Sequence, residues 1–296
     1  MPKAKKELIG IVIPAYNEAD GIADFLKALI EEVQKHKAYS VELIVVDDGS
    51  TDDTWEKAAA FEEVTVLTHK HNKGYGASLK TGIRHSTSDT IVIIDADNSY
   101  DIEDIFLLLK HFKENDMVVG VRNVLDHKGE FMRRMARRVF RTLANFLTRA
   151  NIPDLNSGIR VMDKTIVNKY MYLLPDGFSF TTTITVAMLT DLNYVHFEPV
   201  KYHPRTGSSK ISPVMDFSRF IYLILTTILC FKPARVFMPA AFFLFAASLF
   251  VLLLSYFYLE KVWDITTVLL FLTGTNFFAI GLIAELVVRL SKKNGD

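Results

Sequence analysis

Ile91-Val92-Ile93-Ile94-Asp95-Ala96-Asp97 decides how the rest of this 296-residue chain is read. Four consecutive branched aliphatic residues leave no polar face for water, so the run reads as a strand covered on both sides, as in a parallel sheet. Two aspartates follow at once, two positions apart. Side chains alternate along extended chain, so both carboxylates can point to the same side. In open α/β sheets ligands bind outside the carboxyl ends of the strands. The pair therefore stands where a ligand is expected, and as hard oxygen donors the two suit Mg2+ or Mn2+ shared with substrate phosphates.

The same pattern recurs on either side. Residues 8–13 and 41–46 read as strands, and each ends in polar residues: Pro14-Ala15-Tyr16-Asn17-Glu18 after the first, Asp47-Asp48-Gly49-Ser50 after the second. Residues 64–68, 90–94 and 117–119 complete the expected strands, and a second sheet segment is expected over 194–203. Between them Ile22, Phe25, Leu26, Leu29, Ile30 and Val33 keep helical spacing, with Asp20 as the expected N-cap. Asn72-Lys73-Gly74-Tyr75-Gly76 opens a further helix through Ala77 to Ile83, either as a close approach to an anionic ligand or as a plain turn. The fold class is α/β, a mainly parallel sheet with helices on both faces. No G-x-G-x-x-G follows the first strand and no P-loop lysine motif occurs, which disfavours dinucleotide oxidoreductases and P-loop NTPases.

These residues carry a resemblance. Ile11-Val12-Ile13-Pro14-Ala15-Tyr16-Asn17-Glu18, Val45-Val46-Asp47-Asp48-Gly49-Ser50-Thr51-Asp52 and Asp95-Ala96-Asp97 resemble inverting GT-A glycosyltransferases of family 2. Within that family the chain is similar to dolichol-phosphate mannose synthases and bacterial polyprenyl-phosphate glycosyltransferases, over about residues 8–212. The resemblance implies that Pro14, Tyr16 and Glu18 line a nucleotide pocket, that Asp48 and the backbone at Val46 contact base or ribose, and that Asp95, Ala96 and Asp97 hold the diphosphate and a metal. It places Arg122 on the donor diphosphate or the acceptor phosphate, and Ser157, in Asp154-Leu155-Asn156-Ser157-Gly158, on the acceptor phosphate. Arg205, Ser208, Ser209 and Lys210 resemble a basic loop that closes over the donor. Asp97, Arg122, Ser157, Arg205 and Lys210 form the candidate catalytic set. The synthases usually continue after D-x-D with leucine and glutamine, whereas Asn98, Ser99 and Tyr100 follow here.

Residues 131–149 read as a helix on which Arg133, Arg134, Arg137, Arg138 and Arg141 recur at roughly helical spacing. Such a helix rests on an anionic leaflet at about 1 kcal/mol per basic residue near the surface. Arg133, Arg134 and Arg138, with Arg122 and Ser157, are the expected acceptor-phosphate contacts. A solvated basic face is the other reading.

Residues 236–259 and 265–284 contain no charge, and each run is long enough to cross a hydrocarbon core of roughly 30 Å. The alternative is a pair of buried helices in a soluble core. Five residues, 260–264, separate the runs, with Tyr256, Tyr258 and Trp263 near the tip of the expected hairpin. Neither run is a signal peptide, since both lie at the C-terminal end. Lys232 and Arg235 precede the first span, and Arg289, Lys292 and Lys293 flank the end of the second. The positive-inside bias then puts the large domain in the cytoplasm. Residues 217–231 are apolar but too short to span, and read as an interfacial helix. The expected organisation is a catalytic domain over 1–212, a juxtamembrane helix over 213–232 and two transmembrane helices over 233–296, about 236–259 and 265–288. The single Cys230 agrees with a reducing compartment, and zero net charge leaves no footprint for nucleic acid. Two short spans could pack between protomers, so a homo-oligomer stays open.

The expected reaction moves a sugar from a GDP- or UDP-sugar to a dolichyl or undecaprenyl phosphate. A lipid phosphate is already ionised near neutrality and needs no base, and the sequence offers many arginines near the membrane and no evident His–Asp base pair. The alternatives are a transferase acting on a lipid hydroxyl, with Asp154 as its base, and a non-catalytic scaffold that only binds nucleotide sugar. Two spans are too few for the channel of a processive synthase, and no Q-x-x-R-W motif occurs.

Overall fold

The computed structural model describes residues 6–122, 142, 144–146, 148–177, 179–203, 228–229, 232–258 and 264–293. Among these, seven strands form one sheet in the order β3-β2-β1-β4-β6-β5-β7. The strands are β1 (Glu7–Ala15), β2 (Tyr39–Asp47), β3 (Val64–Thr68), β4 (Thr90–Ile93), β5 (Met117–Arg122), β6 (Arg160–Asp163) and β7 (Val195–Val200). β1 pairs in parallel with β2 and β4, and β5 pairs in parallel with β7. β6 alone runs antiparallel, to both β4 and β5. The sheet segment expected over 194–203 is found as the strand 195–200, which joins the same sheet as its edge strand β7.

Alternation along the buried strands feeds two cores. Ile9, Ile11 and Ile13 of β1, with Val92 of β4, face α1 (Ile22–Lys35), α2 (Thr54–Ala59) and α4 (Glu103–Phe112). Val12, Ile91 and Ile93 face α3 (Tyr75–His85), α5 (Lys164–Tyr170) and α6 (Phe180–Thr190). Helices thus cover both faces, which is why strands 91–94 and 43–46 read as unbroken apolar runs. The expected cap of α1 is corrected. Gly21 is the N-cap with no side-chain cap bond, and Asp20 is exposed. The turn ahead of the helix is closed instead by the Glu18 carbonyl, which accepts from the backbone N–H of Gly21 and Ile22.

At the C-terminal end α7 (Ala234–Tyr258) and α8 (Asp264–Lys293) form an antiparallel hairpin close to the expected spans. Both are long and apolar enough to cross a membrane, and only 11% of each most apolar window is buried. A soluble core helix would be mostly covered, so that alternative is set aside. Close contact between the helices uses small residues, as hydrocarbon gives no hydrophobic drive to association. A Cβ at Gly274 would lie 2.8 Å from Phe245 Cε1, and one at Gly281 2.8 Å from Phe237 Cβ. Ser248 donates to the Thr267 carbonyl at 2.8 Å. Of the expected 131–149 helix, residues 142, 144–146 and 148 are described and are helical, while its arginines at 133, 134, 137, 138 and 141 lie outside the described residues, as do 204–227 and the hairpin tip.

Gly274→Leu should destabilise the hairpin by about 1–3 kcal/mol through overpacking against Phe245. Thermal unfolding in detergent should show a lowered midpoint, while Phe243→Leu, on the exposed surface of α7, leaves it unchanged.

Candidate active site

The loops after β1 and β2 are tied into one unit. Asn17, at φ +55°, donates its N–H to Ser50 Oγ (3.0 Å) and accepts from Thr51 N–H at Oδ1 (2.8 Å). Glu18 N–H donates to Thr54 Oγ1 at 2.9 Å. Asp47, buried, accepts from the backbone N–H and hydroxyl of Ser50. Pro14, Tyr16 and Glu18 lie half-buried along this edge, and Val46 is fully buried opposite Pro14 in the β1–β2 register.

Asp48 is held by the loop that leads into α3. It is only 3% exposed, and its carboxylate accepts from Lys73 N–H (2.9 Å) and Gly74 N–H (2.8 Å) and meets His69 Nδ1 at 2.7 Å. The loop it anchors opens α3 at Gly74, whose φ of +104° and approach to the Asp176 carbonyl leave no room for a side chain. The structure thus contains a His–Asp pair that the sequence reading lacked. It is no general base: His69 is buried, with Nδ1 on Asp48 and Nε2 on Thr81 Oγ1 at 2.9 Å, so neither nitrogen is open to a substrate proton.

The D-x-D pair follows β4, with Asp95 and Asp97 half-buried and Ala96 buried between them. Tyr75 donates its hydroxyl to Asp95 Oδ1 at 2.9 Å. On the other side a Cβ at residue 158 would fall 1.9 Å from Asp95 Oδ2, so the carboxylate occupies the space a side chain there would need. Asp97 Oδ1 accepts from Ser99 N–H at 3.0 Å. Ser99 stands where similar synthases carry glutamine; its Oγ is buried and has no hydrogen-bond partner. Two half-buried carboxylates two residues apart are a donor set that fits a hard divalent cation. Tyr100 accepts from Gly158 N–H at 2.8 Å and lies 3.3 Å from Ser157 Oγ. Burial and the nearby Asp95 charge push the Tyr75 phenol well above its ordinary pKa and that of Tyr100 to about 12, so both remain protonated.

Ser157 lies inside the loop that precedes β6. Its side chain is fully buried, with Oγ on Tyr100 and near Ile159 N–H, so it fixes the loop. Arg122, at the end of β5, forms a bidentate pair with Asp154: Nε to Oδ2 at 2.7 Å and Nη2 to Oδ1 at 2.9 Å. Its guanidinium also lies 5.4 Å from the centre of the Tyr202 ring. Burial opposes both charges, but the pairing outweighs it: the Asp154 carboxyl is held below its ordinary range and Arg122 above its own.

Arg160 was not among the sequence candidates. It is fully buried in β6 and donates from Nη1 to the Thr181 carbonyl and Thr185 Oγ1, both at 3.0 Å, and from Nη2 to the Ser157 carbonyl at 2.7 Å. Burial lowers its pKa to about 10, so it stays cationic at neutral pH behind Asp95 and Tyr75. An arginine inside Ile159-Arg160-Val161-Met162 was the available signal, since an unpaired charge is otherwise avoided in a buried run. Arg133, Arg134, Arg138, Arg205 and Lys210 lie outside the described residues, so the structure does not place them against this rim.

A GT-A sheet with D-x-D at the end of β4 defines a class, and comparison with known proteins agrees. The glycosyl transferase family 2 model matches residues 10–171, and the GtrB C-terminal hairpin model matches 232–290. The chain belongs to glycosyl transferase family 2. It is 27% identical over 303 residues to an undecaprenyl-phosphate 4-deoxy-4-formamido-L-arabinose transferase of Sodalis glossinidius (strain morsitans), covering 97% of this chain and 90% of that one. It is 27% identical over 296 residues to the bactoprenol glucosyl transferase of Shigella phage SfX, covering 95% and 94%. Among solved structures, glucosyl-3-phosphoglycerate synthase from Mycobacterium tuberculosis, crystallised with Mn2+, UDP-glucose and phosphoglyceric acid, superposes with a TM-score of 0.60 at 18% identity, over 76% of this chain and 80% of that one. That likeness confirms the fold.

Gly158→Ala should displace the Asp95 carboxylate by the width of a methyl group and lower kcat/KM for sugar transfer by about 100-fold. Near wild-type turnover in a protein of unchanged circular dichroism would show that Asp95 need not hold its position.

Proposed function

We propose that this chain is an inverting glycosyltransferase that moves a sugar from a nucleotide sugar, a GDP- or UDP-sugar, to a polyprenyl phosphate on the cytoplasmic face of a membrane. The observation that carries the reading is the joining of a D-x-D pair and the half-buried Arg122 to an apolar hairpin in one chain. Relatives that match nearly the whole chain are named for undecaprenyl phosphate and bactoprenol, which supports the acceptor class. The basic residues Lys232, Arg235 and Arg289 at the open end of the hairpin support the cytoplasmic orientation.

In this reading Pro14, Tyr16 and Glu18 line the nucleotide pocket, with Asp48 and Val46 shaping its floor. Asp95 and Asp97 would hold Mg2+ or Mn2+, which when bound supplies positive charge to the donor diphosphate. Ala96 keeps the two carboxylates on one side of the loop. Tyr75 and the Gly158 backbone fix Asp95 before donor arrives, so no reorganisation is needed during transfer. Arg122, oriented by Asp154 and Tyr202, stands at the same rim to receive phosphate oxygens, and Arg205 and Lys210 would close over the leaving diphosphate. Arg133, Arg134 and Arg138 would collect the lipid phosphate, with Ser157 holding the intervening loop. The acceptor oxygen attacks the anomeric carbon as nucleoside diphosphate leaves, and a phosphate near pH 7 attacks without losing a proton to the protein.

The test is turnover in detergent with UDP- and GDP-sugars against undecaprenyl or dolichyl phosphate, with Mg2+, Mn2+ or EDTA. Metal-dependent, chloroform-extractable glycolipid from one donor is expected. Transfer to a diacylglycerol or ceramide with none to any lipid phosphate would reject the reading.

Asp154 separates the phosphate acceptor from the lipid-hydroxyl alternative. A carboxylate committed to a bidentate arginine pair, with its pKa depressed, is a weak proton acceptor. Asp154→Asn should therefore reduce kcat/KM by about 10–100-fold, since it leaves Arg122 without its partner. The shape of the pH–rate profile should not change; loss of a limb from that profile would make Asp154 the base.

A further inference from the structure

The sheet edge far along the order from β1 carries a cluster that the transfer reaction does not use. β7 is the edge strand beside β5, and His196 and Glu198 lie two residues apart on it, hence on one face. α4 packs against β7 and brings His111, in its last turn, to the same place. His196 Nε2 lies 3.0 Å from Glu198 Oε2, and His111 Nε2 lies 3.6 Å from that same oxygen. The two imidazole rings are stacked, 4.9 Å between centroids and 25° between planes. The three ligand atoms all fall within 4.8 Å of one another.

We propose that His111, His196 and Glu198 form a second divalent-metal site, specific for a late first-row ion such as Zn2+. Two ligands bound at about 2.0–2.1 Å to a tetrahedral ion are ~3.4 Å apart. The two separations measured to Glu198 Oε2 bracket that value. Closing the site requires the stacked rings to move by less than their own thickness, on side chains that are about two-fifths exposed and so reachable by an ion. Two imidazoles and one carboxylate make a borderline donor set that prefers Zn2+, Ni2+ or Cu2+ to Mg2+, the reverse of the all-oxygen D-x-D. The competing account is a hydrogen-bonded trio in which one carboxylate serves two neutral imidazoles.

The position gives binding a mechanical consequence. β7 runs on to Tyr202, which packs edge-on against Tyr100 at 5.4 Å and lies beneath Arg122. His203, next along, meets Asp101 Oδ1 at 2.8 Å. An ion bridging His111 to His196 and Glu198 ties α4 to an edge strand whose one strand partner among the described residues is β5, and so steadies the strand that supports Tyr202.

The experiment uses the full chain in detergent, free of any histidine tag and stripped with EDTA, titrated with Zn2+ against a chromogenic chelator. One zinc per chain is expected, undisturbed by millimolar Mg2+, with a rise in the thermal midpoint. His111→Gln and His196→Gln should each weaken zinc binding at least 10-fold and abolish that rise, while the doubly substituted Asp95→Asn, Asp97→Asn protein binds zinc as the wild type does. Wild-type binding in the histidine variants, loss of zinc in the aspartate variant, or no zinc retained by the wild type would each overturn the proposal. His111 is exposed and His196 only half-buried, so the midpoints of the metal-free variants should stay close to that of the wild type.

Discussion

The rest of the active-site architecture depends on the contact between the Asp95 carboxylate and the backbone at Gly158. A carboxylate at the end of a parallel strand would ordinarily swing freely in solvent. Here it is confined between the Tyr75 hydroxyl and a residue with no side chain. That confinement requires β6 to lie beside β4 and to run antiparallel, because only then does the chain just before β6 pass the carboxyl end of β4. The register Ile93↔Arg160 sets the alignment. The one reversed strand among the described residues is therefore what carries the 154–158 loop to the D-x-D.

Electrostatics reinforces the same contact. Arg160 sits behind the loop with no carboxylate bonded to it, satisfied by two carbonyls and a threonine hydroxyl. Burying a guanidinium is costly unless its donors are met, and Arg160 Nε has no partner. The field of Asp154 and Asp95 nearby offsets only part of that cost, and burial still lowers the Arg160 pKa to about 10. Arg122 and Asp154 form the second layer, a pair whose bidentate geometry fixes the guanidinium plane over Tyr202. Removing either partner of such a pair costs more than the pair contributes, because the survivor is left desolvated and alone.

The parallel core was legible because its strands are buried on both faces and so read as continuous aliphatic runs with acidic ends. Residues 91–94 located β4, and with it Asp95 and Asp97, without any knowledge of what lies opposite. β6 was harder: four residues, one of them arginine, give little periodicity, and its direction is set by long-range pairing that no local pattern encodes. The Asp48–His69 pair was hidden for the same reason, as its members are 21 positions apart and meet only when β3 docks on β2. Ser157 was placed by resemblance, and its burial against Tyr100 is a tertiary fact that no local pattern carries. The hairpin was read within a few residues, since membrane length and charge exclusion are properties of the segment alone.

The character of the acceptor follows from how the described residues spend their charges. Three groups near the rim that could take a proton are already engaged: His69 on both nitrogens, Asp48 by two backbone donors, Asp154 by Arg122. A neutral hydroxyl would need one of these to let go of its partner before it could attack. An acceptor that arrives ionised needs none of them. It needs a fixed cation, and Arg122 is one at any physiological pH. The hairpin adds a second restriction, because an enzyme anchored by two apolar helices meets most often what shares its membrane. An ionised nucleophile presented from a lipid satisfies both conditions, and a lipid phosphate is the simplest species that does.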